Sequence, residues 1–290
     1  MLPTLLDTRV AGMRVTLPAY GTLLALAAVV TVTLAWWLAR RRGIPGGRAA
    51  ALLGVTAVCV PIGARLLHLA LNPSVYAADP GALLSTDPTG FALYGGLILA
   101  TIAGLVTAWV LRVDLWRMAD ASAPAIGVGI ALARLGCFLN GCCFGRVTTG
   151  PLGIVFPGGS LPWLGQLSDG RITLLDATLP VYPTQLFELA GALAGSALAV
   201  WVLTRGARDG TAFLAFAAWF SAVRWADWYL RVPASSFAGP SWMYPALYAA
   251  LIAVCVTLII VRRRGGEAAG ASRAAPRTSS SGGCTLWRDR

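Results

Sequence analysis

The sequence predicts an all-α integral membrane protein with seven transmembrane helices, and three observations carry that prediction. The 290 residues are 57% hydrophobic and only 12% charged, with a mean hydropathy of +0.70, whereas a soluble domain carries about twice that share of charge. Seven apolar stretches have the length of about 20 residues that is needed to cross roughly 30 Å of hydrocarbon. Arginines cluster after alternate stretches, which is typical of a chain that crosses a membrane repeatedly.

The first four spans are bounded by interfacial and loop residues. Trp36 and Trp37 end the first span, and such aromatic pairs favour the membrane interface. The loop 72–89 after the second span is rich in Pro, Asp and Ser and contains no arginine, so we place it outside the cell. Arg112 and Arg117 follow the third span and place that loop inside. These spans are predicted at residues 17–38, 49–71, 90–111 and 119–140.

A long polar excursion separates the fourth span from the last three. Residues 141–181 are predicted to form a small external head insertion, with a strand-like piece at 151–157. The tail 265–290 is rich in Ala, Gly, Ser and Arg and is expected to be disordered in the cytoplasm, which leaves residues 1–264 as the seven-span domain. The last three spans are predicted at residues 183–203, 211–230 and 242–261.

The distribution of arginine sets the orientation and limits the function classes. The predicted cytoplasmic segments hold 15 of the 23 basic residues, so the N-terminus is expected outside and the C-terminus inside. The net charge of +11 would suggest nucleic acid in a soluble protein, but here the charge lies beside hydrophobic spans. We therefore expect a multi-pass protein of the bacterial cytoplasmic (inner) membrane, without a nucleic-acid partner.

Polar side chains recur within six residues of the predicted outer ends of six spans. At about 1.5 Å rise per residue they lie roughly 5–10 Å below the outer interface, where a buried charge is costly and is a functional-site hypothesis by default. Their shared depth predicts one polar cavity that opens outward. The layer consists of Tyr20, Arg65, Tyr94, Arg134, Glu188 and Arg224.

Charged residues at this depth and at the nearby surface also have structural interpretations. Arg134 either contacts an anionic ligand or pairs only with Glu188 or Asp227. Arg224 has Asp227 as a ready partner at i+3 on the same helix. Arg231 lies near the surface, where the side chain can reach lipid phosphate.

The stretch ARLGCFLNGCCFGR at residues 133–146 carries a resemblance to a known family. Together with YGGL at 94–97, YPTQLFE at 182–188, and Arg224 with Arg231, it resembles the signature of the prolipoprotein diacylglyceryl transferases. These pieces occur in the family's order and cover roughly residues 20–261. The long stretch is specific, whereas each short piece is weak alone.

The resemblance implies the first step of lipoprotein maturation. Diacylglyceryl passes from phosphatidylglycerol to the lipobox cysteine thiol of a prolipoprotein signal peptide, at a site facing the outer leaflet of membrane lipid. We expect a monomer without cofactor or metal. Arg134 and Arg224 are expected to hold the phosphate, and Asn140 and Tyr94 to orient the reactants. The expected substrate-binding residues are Tyr20, Arg65, Gly95, Gly96, Gly145 (for close approach of the lipid), Arg146, Glu188 and Arg231.

The sequence departs from the family pattern at the positions that matter for proton transfer. Tyr94 stands where the family often has a histidine with a catalytic role. A tyrosine hydroxyl, with an ordinary pKa of about 10, is a poor base at neutral pH. The family's G-N-F-x-N-G-E also becomes GCFLNGCC, which removes an amide and a carboxylate. His68, the single histidine, is either a replacement base or an interfacial or core residue.

Three cysteines in the same stretch leave alternatives open. A structural zinc site needs four converging nitrogen or sulfur ligands, and no histidine is near Cys137, Cys142 and Cys143, so we predict no metal. A disulfide from Cys137 to one of the pair is compatible with an oxidising exterior.

The competing functions are a lipid-binding or transport membrane protein and a membrane thiol redox protein. Transport would need a polar pathway into the inner half, where few ionisable groups occur.

The predicted topology can be tested with reporter fusions. Fusions after Arg48, Arg117 and Arg208 should report a cytoplasmic location, because arginine-rich loops are retained inside. Fusions near Asp79 and Ser168 should report an external one. Paired reporters that are active on opposite sides of the membrane provide the measurement and its control. A cytoplasmic signal at Ser168 would contradict the seven-span arrangement.

Overall fold

The computed structural model describes residues 4–10, 13–84, 92–232 and 240–274. A two-stranded hairpin, β1 (Thr4–Val10) and β2 (Met13–Pro18), precedes the helices, and a short 3-10 helix covers Pro80–Leu84. The α-helices of this described part are α1 (Ala19–Arg41), α2 (Gly46–Leu71), α3 (Pro73–Ala78), α4 (Leu93–Val110), α5 (Leu115–Asn140), α6 (Leu161–Ser168), α7 (Thr184–Thr204), α8 (Thr211–Leu230) and α9 (Met243–Ala274).

Long apolar helices confirm the prediction of a mostly helical membrane protein. Within the described residues, five helices are long and apolar enough to cross a membrane: α1, α2, α5, α7 and the Met243–Arg264 part of α9. Helices α4 and α8 occupy the third and sixth predicted spans. The apolar part of α4, Tyr94–Val110, is shorter than the other spans. The helix count at the predicted positions therefore agrees with the sequence, whereas the number of membrane crossings stays a prediction.

Helix packing places α5 at the centre of the bundle. α5 packs against α1 on one side and α7 on the other, and it is the most buried of the candidate spans. Small residues permit these contacts: a Cβ atom on Gly127 would lie 2.1 Å from Ser196 Oγ of α7. The packing order runs from α4 through α2, α1, α5, α7 and α8 to α9. Tyr94 of α4 then donates a hydrogen bond to Tyr244 of α9 at 3.2 Å, which links the two ends of this series.

The two termini differ from the sequence prediction. The segment before the first span, expected to be a short lead-in, forms the antiparallel hairpin, with Val10 opposite Met13 and Asp7 opposite Thr16. Its Thr- and Val-rich composition favours strands, a signal that the hydropathy pattern does not contain. Helix α9 continues to Ala274, ten residues into the segment expected to be disordered, because an alanine-rich sequence favours helix. Residues 275–290 lie outside the described part of the chain.

Asp120 joins several helices at the end of the bundle opposite the hairpin. Its carboxylate is 1% exposed and accepts hydrogen bonds from the backbone N–H groups of Gly210 (2.8 Å) and Phe213 (2.9 Å), at the start of α8. A carboxylate here satisfies unpaired N–H groups and complements the helix dipole. Arg42, after α1, lies 3.6 Å from Asp120 and 2.5 Å from Asp209. The network fixes α1, α5 and α8 relative to one another.

Replacing Asp120 with alanine should destabilise the protein by about 2–4 kcal/mol, because the change leaves the N–H groups of Gly210 and Phe213 without their buried acceptor. The measurement is the shift of the unfolding midpoint in detergent. Asp169→Ala is the matched control, since Asp169 is 62% exposed and 3.6 Å from Arg171, and such a surface pair contributes at most about 1 kcal/mol. Equal midpoints for both variants would contradict the proposed role of Asp120.

Candidate active site

Glu188 of α7 is the centre of a buried ionic cluster. The residue is 1% exposed, and its Oε2 lies 2.5 Å from Nε of Arg134 on α5. Its Oε1 accepts hydrogen bonds from Nη1 of Arg231, at 2.8 Å, and from Nη1 of Arg224. One carboxylate thereby holds three guanidinium groups that come from α5, α8 and the residue that follows α8. A charge this deep requires such partners, because desolvation of an unpaired carboxylate costs several kcal/mol.

Asp227 adds a second carboxylate to the Glu188 cluster, which we define as Glu188, Asp227, Arg134, Arg224 and Arg231. Asp227 is 3% exposed, and its Oδ2 lies 3.7 Å from Arg231 Nη1 and 3.9 Å from Arg224 Nη1. When both carboxylates are ionised, the cluster has one positive charge in excess. A single phosphodiester carries the complementary charge.

The cations of this cluster are more accessible than its anions. The side chains of Arg134, Arg224 and Arg231 are 22%, 25% and 18% exposed, whereas Glu188 and Asp227 are almost fully covered. The guanidinium groups therefore form the accessible part of the cluster. Their planar donors match the oxygen geometry of a phosphate.

Tyrosines of two further helices extend the site. Arg224 Nη2 donates to Tyr248 Oη of α9 at 3.2 Å. The ring of Tyr244 stacks on that of Tyr248 with a centroid separation of 6.4 Å, and Tyr244 accepts the hydrogen bond from Tyr94 described above. Tyr94, which is exposed, is thereby connected to the Glu188 cluster through α9 rather than by direct contact.

Three cysteines lie beside Arg134. The Sγ atoms of Cys137, Cys142 and Cys143, which we name the three-cysteine cluster, all lie within 4.8 Å of one another. Arg134 Nη1 is 4.0 Å from Cys137 Sγ, and the Asn140 side chain contacts Cys142. Hydrogen bonds from the Cys137 and Cys142 thiols, with the nearby guanidinium groups, hold the pKa of Cys143 below its usual range.

The loop after α5 is held by backbone contacts that explain Gly145 and Arg146. The N–H of Gly145 donates to Tyr182 O at 2.8 Å, and that of Arg146 to Leu230 O at 2.7 Å. Arg146 Nε also donates to Arg231 O at 3.1 Å. A Cβ atom on Gly145 would lie 2.6 Å from Leu230 O, so the close approach at this glycine is to the protein's own backbone. The loop is thus fixed to the end of α8.

Gly95 and Gly96, expected to bind substrate, lie where α4 packs against α2. A Cβ atom on Gly95 would be 2.2 Å from Gly63 O, and one on Gly96 would be 2.6 Å from Val60 O. Close helix packing accounts for both glycines. Tyr20 is half-buried at the start of α1, where its backbone packs against Gly136 of α5.

Arg65 belongs to a different group of contacts. It is buried on α2, and its Nη1 lies 3.4 Å from Tyr76 Oη. The same hydroxyl lies 2.7 Å from His68 Nδ1. The single histidine is therefore engaged with Tyr76 of α3. Tyr76 thereby connects the side chains of Arg65 and His68 to α3.

The structure thus brings together part of the predicted site. Sequence reasoning found the members of the Glu188 cluster. It overlooked the side chains that hold the backbone of the three-cysteine cluster in place. Thr184 and Gln185, both almost fully buried, bond the carbonyls of Cys143 and Cys142 at 2.7 and 2.6 Å. The signal for them in the sequence was a Thr-Gln pair at the start of an otherwise apolar span. Nothing in a tyrosine near a membrane interface distinguishes Tyr244 or Tyr248 from an ordinary interfacial aromatic.

Comparison with known proteins agrees with this geometry. Residues 10–263 match the family model described as prolipoprotein diacylglyceryl transferase. Relatives named phosphatidylglycerol--prolipoprotein diacylglyceryl transferase include one from Geobacter sulfurreducens, 30% identical over 255 residues, which cover 84% of this chain and 91% of the relative. One from Bacillus cytotoxicus is 29% identical over 252 residues (86% and 89%). One from Rhodopirellula baltica is 34% identical over 160 residues (53% and 32%). The match spans β2, the candidate membrane helices as far as residue 263 and the Glu188 cluster, and on that ground the chain belongs to the prolipoprotein diacylglyceryl transferase family.

Proposed function

We propose that this chain transfers diacylglyceryl from phosphatidylglycerol to the cysteine thiol of a prolipoprotein signal peptide. The observation that carries the proposal is the Glu188 cluster, in which three partly exposed guanidinium groups surround a buried carboxylate. The family membership supports the same activity.

The guanidinium groups have a specific task in such a transfer. The thiol sulfur attacks the glyceryl carbon that carries the phosphate ester, so a C–S bond forms and a C–O bond breaks. The electron pair of the broken bond passes to the phosphate oxygen, the thiol proton passes to water, and glycerol 1-phosphate leaves. Arg134 and Arg224, fixed by Glu188, stabilise the charge that develops on that oxygen without reorganising.

The same proposal covers the arrangement in the membrane. Helices α4 and α8 are counted as spans with the five longer ones, which gives seven crossings with the N-terminus outside and the C-terminus in the cytoplasm. The Glu188 cluster then lies in the outer half of the bacterial inner membrane. Residues 141–181 form the external insertion. The lipobox of the precursor emerges on that side, and a monomer suffices because one chain supplies the whole cluster.

The activity can be tested directly with purified protein. Incubation with vesicles of phosphatidylglycerol and a lipobox peptide should give a diacylglyceryl adduct of the peptide by mass spectrometry. The same peptide with its cysteine replaced by serine should give none, because a hydroxyl is a far weaker nucleophile. Absence of an adduct with folded protein would contradict the proposed function.

Arg134→Lys should insert and fold but lose about 100-fold or more in turnover, because an ammonium keeps the charge and loses the planar pair of donors. Turnover per mole of folded protein is the measurement. Arg171→Lys is the matched control: Arg171 is exposed and 3.6 Å from Asp169, so its replacement should leave turnover unchanged.

The alternative in which Arg134 only balances Glu188 predicts a different result. In that case Arg134→Ala would act through stability, and adding Glu188→Gln would relieve the defect by removing the unpaired carboxylate. If Arg134 binds the phosphate, the double variant should remain inactive. Near-normal turnover of Arg134→Ala/Glu188→Gln would show that Arg134 is not the phosphate ligand.

A further inference from the structure

We propose that Cys137, Cys142 and Cys143 form a site for one thiophilic divalent cation, zinc by preference, whose fourth position is open to the substrate thiol. The binding of the substrate thiol at the open position rests on the proposed function, whereas the binding of metal by the three cysteines does not. Sequence alone argued against metal because only three ligands were apparent. The structure shows that the three sulfurs converge beside Arg134.

The sulfur positions fit one small ion. Zinc–sulfur bonds of about 2.3 Å in a tetrahedral arrangement place the sulfurs about 3.8 Å apart. The three Sγ atoms already lie within 4.8 Å of one another, so a closure of about 1 Å at most completes the site. Three protein ligands with an open fourth position are the pattern of catalytic rather than structural zinc.

The backbone that carries the sulfurs is held in place from outside the cluster. Gln185 and Thr184 of α7 bond the carbonyls of Cys142 and Cys143, and the Cys142 N–H donates to Cys137 O at 3.1 Å. Cys143 has φ of +62°, a left-handed conformation that costs a non-glycine residue of order 1 kcal/mol or more. The surrounding contacts maintain that conformation, which brings a third sulfur to the other two.

The surroundings suit the charge of the loaded site. Three thiolates and one divalent cation carry a net charge of −1. Arg134 Nη1 lies 4.0 Å from Cys137 Sγ, and the Glu188 cluster to which Arg134 belongs has one positive charge in excess. The nearby guanidinium group makes a metal–trithiolate centre less costly here than it would be in an uncharged apolar site.

The metal site supplies a means of deprotonating the substrate thiol. The single histidine is bonded to Tyr76 on α3, and Tyr94 is a weak base. A thiol that coordinates zinc is deprotonated, and its proton passes to water. The bound thiolate then attacks the glyceryl carbon while the C–O electron pair goes to the phosphate oxygen. The metal stays divalent throughout, so the step needs no oxidant or reductant.

The metal site is tested by titrating Co²⁺ into full-length, reduced, metal-free protein in detergent under argon. One equivalent should produce the sulfur-to-cobalt charge-transfer absorption and protect the three cysteines from alkylation by iodoacetamide. Cys137→Ser/Cys142→Ser/Cys143→Ser should show neither effect. Cys255→Ser, a change at a buried cysteine of α9, should behave as the wild type. Absence of both effects in the wild type, or a disulfide within the cluster that persists in the reduced protein, would overturn the proposal.

The open position is tested by adding the lipobox peptide to the cobalt protein. The absorption should change with the cysteine peptide and stay unchanged with its serine counterpart. Chelation at pH 7 should reduce transfer up to about 30-fold, the factor by which free thiol exceeds thiolate for a pKa of about 8.5, and Zn²⁺ should restore it. Full transfer by metal-free protein would overturn the catalytic role. Metal binding without any transfer under all conditions would instead contradict the proposed function.

Discussion

The burial of one carboxylate against three guanidinium groups is the interaction on which the arrangement of this protein depends. Glu188 lies on an apolar helix, where an unpaired charge is not tolerated. Its two oxygens can satisfy Arg134, Arg224 and Arg231 only when α5, α7 and α8 meet at one depth. Electrostatics therefore fixes helix register at the site, while the same contacts leave the three guanidinium groups partly exposed.

Small residues and a second buried carboxylate make that meeting possible. Gly127 allows α5 to approach Ser196 of α7 closely enough for side chains at the helix ends to converge. At the opposite end, Asp120 binds the first N–H groups of α8 and pairs with Arg42. α8 is thus held at both ends by buried carboxylates, one structural and one in the candidate active site. Arg224 near the end of α8 and Arg231 directly after it are placed accordingly.

The three-cysteine cluster gives the site a character of its own. Arg134 contacts both Glu188 and Cys137, so the Glu188 cluster and the three-cysteine cluster share one side chain. A nucleophilic sulfur and a leaving phosphate must lie close together in a diacylglyceryl transfer, and this geometry places suitable partners for both within one side chain's reach.

The sequence by itself determined the helical membrane fold, the order of the helices and the charged residues of the site. The bilayer sets the length of the apolar stretches and the position of the arginines beside them, so both can be read from the sequence. A charge such as Arg134 or Glu188 inside an apolar span is also visible without a structure. Only the tertiary structure decided which charges pair, because pairing depends on rotation and close approach of helices far apart in sequence. For the same reason, only the tertiary structure shows that Gly145 packs against the backbone of Leu230 and that three cysteine sulfurs lie within 4.8 Å of one another. Spacing along the chain does not reveal either contact.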